Sequence, residues 1–382
     1  MDTNHSESGE QQELDQLAKE AGELFPVPEP SADEYLARIP ELAQIVDNLV
    51  LNRPDVNRIV GACPVDAVTA NHRNHARFMG TVFKLGLPRM LAAVIPWAYR
   101  VYLNHGVCER YFQEELQGWK QALANNLPTE TAKPLQDIYT WMLDQHERML
   151  QLAREMRDIG PQISTPEKEE IDELVRCLLK CDSRSSREKI CQNLPENDLA
   201  YLYLNRIQPV MYRVGELWAE GKIQVAQEHM VTALMSRVMT LSYDDFPVTG
   251  ERKGKAVLTC ATDEFHEMGA RIISDLLELD GWDVTFLGAN VPTDNFAATI
   301  ADQAPDIVGI SATIPYNLLR VQGMVNSLRE RKDLTNCKIM AGGIPFCIDS
   351  TIVDKLGLDG WACNGKAAVE KARQWWKESC RQ

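Results

Sequence analysis

The sequence predicts three modules in a row: an all-α amino-terminal domain, a four-helix bundle, and an α/β flavodoxin-like domain built on a five-stranded parallel sheet. Three observations carry this reading. The chain has 382 residues, well beyond the roughly 100–200 of a single domain. Apolar residues recur at helical spacing from Ser31 to Met156 and again from Lys168 to Tyr243, with almost no strand signal between. From Lys255 the pattern changes to short β-rich runs alternating with helical ones. Hydrophobic residues at 45% and charged residues at 25% suit packed cores, which excludes a fibrous or fully disordered chain.

The elements follow in order. Residues 1–30 are rich in Glu, Gln, Ser and Pro and read as a flexible lead-in holding one short helix around 12–24. Residues 31–156 form the all-helical domain. Breaks at Cys63-Pro64, Gly86-Leu87-Pro88, Asn126-Leu127-Pro128 and Lys133-Pro134 divide it into five or six helices. A Gly- and Pro-containing linker at 157–167 leads into the bundle at 168–246, whose longest helices, 199–220 and 225–243, part at Gly221. Residues 252–382 make the α/β domain, with strand runs AVLTCA, DVTFLGA, DIVGISAT, KIMAGG and GWACN. In a doubly wound sheet ligands sit beyond the carboxyl ends of the strands, so the loops after these runs are where chemistry is expected.

Charge and cysteine usage narrow the partners. Fifty-five acidic against 40 basic residues leave a formal charge of −15, which repels a phosphate backbone and makes direct DNA binding unexpected. No apolar run approaches the roughly 20 residues of a membrane span, and the start (MDTNHSESGEQQ) lacks the basic and apolar regions of a signal peptide. A cytoplasmic protein is expected. The ten cysteines include no C-x-x-C pair and read as a reduced set rather than a zinc cage.

The first strand run is followed by Asp263-Glu264-Phe265-His266-Glu267-Met268-Gly269, the third by Ser311-Ala312-Thr313, and the fourth by Gly342-Gly343. A histidine at the sheet edge with a carboxylate two residues before it is suited to present one ring nitrogen to a metal while the other is held by an outer partner. One histidine does not hold a bare ion, because zinc sites need three or four protein ligands. A metal that brings its own equatorial ligands needs only one, and paired glycines let backbone approach a bulky group closely. The bland reading is a capping or buried histidine on an ordinary sheet.

This combination resembles the cobalamin-binding fold, whose motif is D-x-H-x-x-G, S-x-L and G-G at these spacings over about 130 residues. The resemblance implies that His266 is the lower axial ligand to cobalt and the sole metal ligand. It also implies that the nucleotide tail enters near Ser311, Thr313, Gly342 and Gly343, with Glu264 and Gly269 completing the motif. Glu264 stands where many members have Asp, and Thr313 where Leu is commonest.

The bundle carries Trp218, then Glu228-His229, in a W-x9-E-H pattern. This is similar to CarH-type photoreceptors, which hold adenosylcobalamin in the dark and lose the adenosyl group in light. By that resemblance Trp218, Glu228 and His229 surround the upper ligand, and the expected function is a cobalamin-dependent light sensor whose Co–C photolysis changes assembly of a homo-oligomer, with no catalytic turnover. Two departures stand. The acidic amino-terminal region does not resemble the DNA-binding domain of those proteins, and Ala219 occupies the position where they place a histidine after the tryptophan. The alternative is a corrinoid methyl-carrier protein of a methyltransferase system, which shares bundle and sheet.

Residues 71–78 (NHRNHARF), Trp97, Tyr99, Arg100, Tyr102 and His105 suggest an aromatic pocket with cationic groups, suited to a linear tetrapyrrole with two propionates. Domain order and the H-R-N-H-A-R-F segment resemble photocobilins, which pair biliverdin with cobalamin. That implies a bilin pocket of His72, Arg73, His75, Arg77, Tyr99 and His105, with Cys63 or Cys108 available for a thioether. A haem sensor ligated through His72, His75 or His105, and a packing domain with an aromatic core, remain open beside it.

Overall fold

The computed structural model describes residues 3–156, 165–180, 183–192, 194, 198–243, 246 and 251–380. Residues 157–164 of the expected linker, and 247–250 between bundle and sheet, lie outside them. The chain divides into two compact units, residues 1–159 with 219–221, and residues 160–218 with 222–382.

Among the described residues the first unit holds nine α-helices: Thr3–Gly22, Glu29–Ala37, Ile39–Leu51, Val56–Val60, Val65–Leu85, Pro88–Asn104, Glu109–Asn126, Thr129–Asp144 and His146–Glu155. Three expected breaks hold. Pro64 and Pro128 stand immediately before helices, and Gly86 closes one with φ +61°, a conformation that costs glycine little. The fourth does not hold. Pro134 lies inside Thr129–Asp144, where its missing N–H removes only the bond to a first-turn carbonyl.

The flexible lead-in expected at residues 1–30 is also corrected. Thr3–Gly22 is a 20-residue helix packed on Pro88–Asn104. Leu17 joins Ala92 and Leu152 in a small core with Leu14 and Ala18 at its edge. Arg148 clamps the same helix, its guanidinium donating to Glu13 and Glu20, each at 2.7 Å.

The second unit opens with helices Thr165–Leu178 and Ser183–Ile190. A longer one starts at Leu199–Leu202, passes through a π-helical turn at Tyr203–Ile207 and continues as Gln208–Ala219. Gly221, at φ +68°, turns the chain into Val225–Tyr243. Five parallel strands follow: β1 Lys255–Cys260, β2 Asp283–Phe286, β3 Ile307–Ser311, β4 Lys338–Gly342 and β5 Gly360–Ala362, in the order β2-β1-β3-β4-β5. This is the flavodoxin-like winding expected from the sequence. The register sets Cys260 beside Ser311, Ser311 beside Gly342 and Gly342 beside Ala362, so four strands end level.

Bundle and sheet share one core. Leu202, Tyr203, Val231 and Met235 of the bundle pack with Ile272, Leu276 and Ala368 from the helices on the sheet. Tyr203 Oη donates to Asp275 Oδ2 at 2.6 Å, and Arg271 donates to Thr240 Oγ1 at 2.7 Å. Polar links of this kind fix the bundle's position on the sheet, where apolar burial alone is non-directional.

Candidate functional site

The chain leaves β1 through a tight turn in which Asp263 adopts φ +64°. Asn290, in the loop after β2, pins that turn: its Oδ1 accepts the Asp263 N–H at 3.0 Å and its own N–H donates to the Glu264 carbonyl at 3.0 Å. The turn swings Glu264 inward and His266 outward. Glu264 is fully buried, whereas the His266 side chain is 58% exposed.

Every lone pair of the Glu264 carboxylate has a use. Oε1 accepts His266 Nδ1 at 2.5 Å and the His266 N–H at 3.1 Å. Oε2 accepts the N–H groups of Thr313 at 2.8 Å and Ile314 at 3.0 Å, and Asn317 Nδ2 at 3.2 Å. Burial opposes the charge, but the hydrogen bond and charge of His266, with the backbone donors, outweigh it and hold Glu264 at about 2. The Glu264 hydrogen bond in turn raises His266 against desolvation, and the charges of Glu264 and Glu228 add to it. The ionised carboxylate therefore holds the Nδ1 proton and leaves Nε2 as the outward-facing acceptor.

Among the described residues no group of three or more His, Cys, Asp or Glu side chains could cage a metal ion. A single exposed imidazole, backed by a buried carboxylate, fits a metal that arrives with its equatorial positions filled. The donor set thus suits a corrin-bound cobalt.

The remaining motif residues gather at the same edge. Ser311 ends β3, the Thr313 N–H reaches Glu264, and Gly342 ends β4. Gly343 sits at φ +117°, where a Cβ would stand 2.0 Å from the Ala312 carbonyl oxygen. Its close approach is therefore to the neighbouring loop, not only to a ligand. A Cβ on Gly269, in the first turn of the helix Met268–Leu279, would meet nothing within 4 Å, so that face of the helix is open. In the bundle, Trp218 is half-buried against the core. Glu228 accepts His229 Nδ1 at 2.5 Å and Thr232 Oγ1 at 2.7 Å, and His229 is 74% exposed. The charge of Glu228 also acts on His266.

Sequence reading missed Asn317 and Asn290. Asn317 is 1% exposed and supplies the only side-chain donor to Oε2 of Glu264 among the described residues. A signal existed: a buried carboxylate demands several donors, and the loop after the third strand is the nearest source.

Of the six residues expected around a bilin in the first unit, the structure brings His75 and Tyr99 together at one small cavity and places the other four elsewhere. His72 is fully buried, with Nδ1 2.6 Å from Asp47 and Nε2 accepting from Tyr111 Oη at 2.9 Å. Arg73 and Arg77 are exposed, and His105 bonds the Val101 carbonyl through Nδ1. Only His75 and Tyr99 line the cavity there, with Asn71, Tyr102, Phe112 and Glu115. Its volume is about 20 Å³, room for one water.

The B12 binding domain family matches residues 254–371, and a second B12 binding domain family matches residues 170–242. Dimethylamine corrinoid protein 3 of Methanosarcina acetivorans is 30% identical over 165 residues, covering 43% of this chain and 76% of that protein. Dimethylamine corrinoid protein 1 of Methanosarcina mazei is 26% identical over 212 residues, covering 55% of this chain and 97% of that protein. The solved monomethylamine corrinoid protein of Methanosarcina barkeri aligns with a TM-score of 0.47 at 21% identity, over 55% of this chain and 99% of that one.

Proposed function

The chain belongs to the B12-binding corrinoid protein family, and from that premise we propose that it is the methyl-carrying corrinoid component of a methyltransferase system. It binds the cofactor through its second unit and leaves the transfer steps to partner methyltransferases. Several of its relatives are named dimethylamine corrinoid proteins, so a methylated amine is the methyl source this reading favours. Light sensing, the first expectation from sequence, takes second place for that reason.

The observation that carries the reading is the Glu264–His266 pair at the carboxyl edge of β1. When bound there, cobalamin supplies a cobalt–carbon bond that can be made and broken. The protein's part is positional. Glu264 holds the Nδ1 proton and directs Nε2 outward; Thr313, Ile314 and Asn317 hold Glu264. The bundle is fixed to the helix that follows the motif loop through the Tyr203–Asp275 and Arg271–Thr240 hydrogen bonds.

A second reading rests on Trp218 and the Glu228–His229 pair, which suit an adenosyl upper ligand and hence a light-labile sensor. One experiment addresses both. Wild-type protein and His266→Ala are loaded with methyl- and adenosylcobalamin, and spectra and assembly state are recorded before and after green light. Methyl carriage predicts a histidine-ligated spectrum lost in His266→Ala, methyl exchange with a methyltransferase, and no light-driven change of assembly. A change of assembly with adenosylcobalamin alone would reverse the order of the two readings.

A further inference from the structure

Two thiols meet at the same sheet edge. β4 and β5 pair in parallel through Gly342 and Ala362, and each strand is followed within a few residues by an exposed cysteine, Cys347 and Cys363. Cys347 lies in the short helix Ile344–Ile348, whose start is fixed by the tight packing of Gly343 on Ala312. Its Sγ donates to the Gly343 carbonyl at 3.6 Å and lies 4.0 Å from the Cys363 carbonyl oxygen. Asn364 Nδ2 donates to Cys363 Sγ at 3.5 Å, which holds the second sulfur in place.

We propose that Cys347 and Cys363 form a reversible redox pair, closed by a low-molecular-weight disulfide, and that closure staples the loops after β4 and β5 and weakens cobalamin binding. The second clause rests on the cobalamin reading, because the loop after β4 begins at Gly343, next to Gly342 at the strand's end. The chemistry balances with glutathione disulfide as oxidant. Cys363 loses its proton, attacks one glutathione sulfur and releases one glutathione thiolate. Cys347 then loses its proton, attacks Cys363 Sγ and expels the second. Two cysteine thiols give up two protons and two electrons, and one glutathione disulfide becomes two glutathiones. Desolvation pushes the Cys347 thiol up to about 11, so its attack on Cys363 Sγ is faster as pH rises toward that value.

The test begins with the cobalamin-free full chain treated with glutathione disulfide and read by peptide mass spectrometry. A Cys347–Cys363 linked peptide, lighter by two hydrogens and reversed by dithiothreitol, is expected; Cys347→Ser should stop at a glutathione adduct on Cys363. Stable adducts on both cysteines of the wild type, or links to Cys380 as abundant as the Cys347–Cys363 link, would overturn the pair. Cobalamin titration then follows. Oxidised protein should bind about tenfold more weakly than reduced, with no difference in the double Cys347→Ser, Cys363→Ser variant. Equal affinities despite a formed link would overturn the staple. Reduced wild type that binds no cobalamin would instead overturn the cobalamin reading, and the peptide result alone would decide the pair.

Discussion

At Glu264, burial and charge pull in opposite directions, and the site works because charge wins. Glu264→Gln keeps the shape but turns an acceptor into an amide facing the Thr313, Ile314 and Asn317 donors, and it releases His266 Nδ1 from a charged partner. Loss of an outer partner of this kind costs roughly 10–100-fold in metal affinity. Cobalamin titration should therefore show a drop of that size in Glu264→Gln, and a smaller one in Asn317→Ala; wild-type affinity in Glu264→Gln would remove the carboxylate from the site. Gly343→Ala tests the scaffold instead. At φ +117°, with a Cβ 2.0 Å from the Ala312 oxygen, alanine forces the β3 and β4 loops apart. A loss of roughly 1–3 kcal/mol in denaturant unfolding is expected, the usual cost of such strain.

Two helices show what pattern reading can and cannot resolve. Thr3–Gly22 looked flexible because its composition is polar, yet Leu14, Leu17, Ala18 and Ala21 recur at helical spacing and Leu17 and Ala21 are fully buried. Leu17→Ala should cost roughly 2–5 kcal/mol in unfolding of the first unit; a flexible lead-in would show no loss. Helix Val65–Leu85 misled in the other way. His72, Arg73, His75 and Arg77 are neighbours in sequence, but at about 100° per residue the histidines share an inner face and the arginines an outer one. The strands were legible, since short β-rich runs punctuated by turns have few other readings, and so was the level edge carrying the motif. The buried network around His75 was not, because Tyr139 and Glu115 come from other helices. Burial and the charge of His72 lower His75 to about 3, from about 6.5 in the unfolded chain. A lowered histidine contributes stability that is complete above the unfolded value and lost as pH falls toward the folded one. Between about pH 6.5 and pH 4.5 the wild type should lose stability relative to His75→Gln, at up to about 1.4 kcal/mol per pH unit. Parallel stability curves for the two proteins would refute the assignment.

Across the whole chain, the division into two units bears on which part carries the ligand. No helix among the described residues is long and apolar enough to cross a membrane. Both B12 binding domain matches fall in the second unit, where the bundle and sheet modules pack on a shared core. A shared core predicts shared unfolding, because neither layer can open without exposing Leu202, Val231, Ile272 and Leu276 together. A fragment spanning residues 160–382 should therefore fold alone, unfold in one cooperative transition, and bind cobalamin as the full chain does. Free cobalamin at 100 times its dissociation constant should add about 2.7 kcal/mol to that transition. Calorimetry with and without cobalamin measures both. Separate transitions for bundle and sheet would overturn the single core, and a single transition that cobalamin leaves unmoved would show that the ligand needs more than this unit.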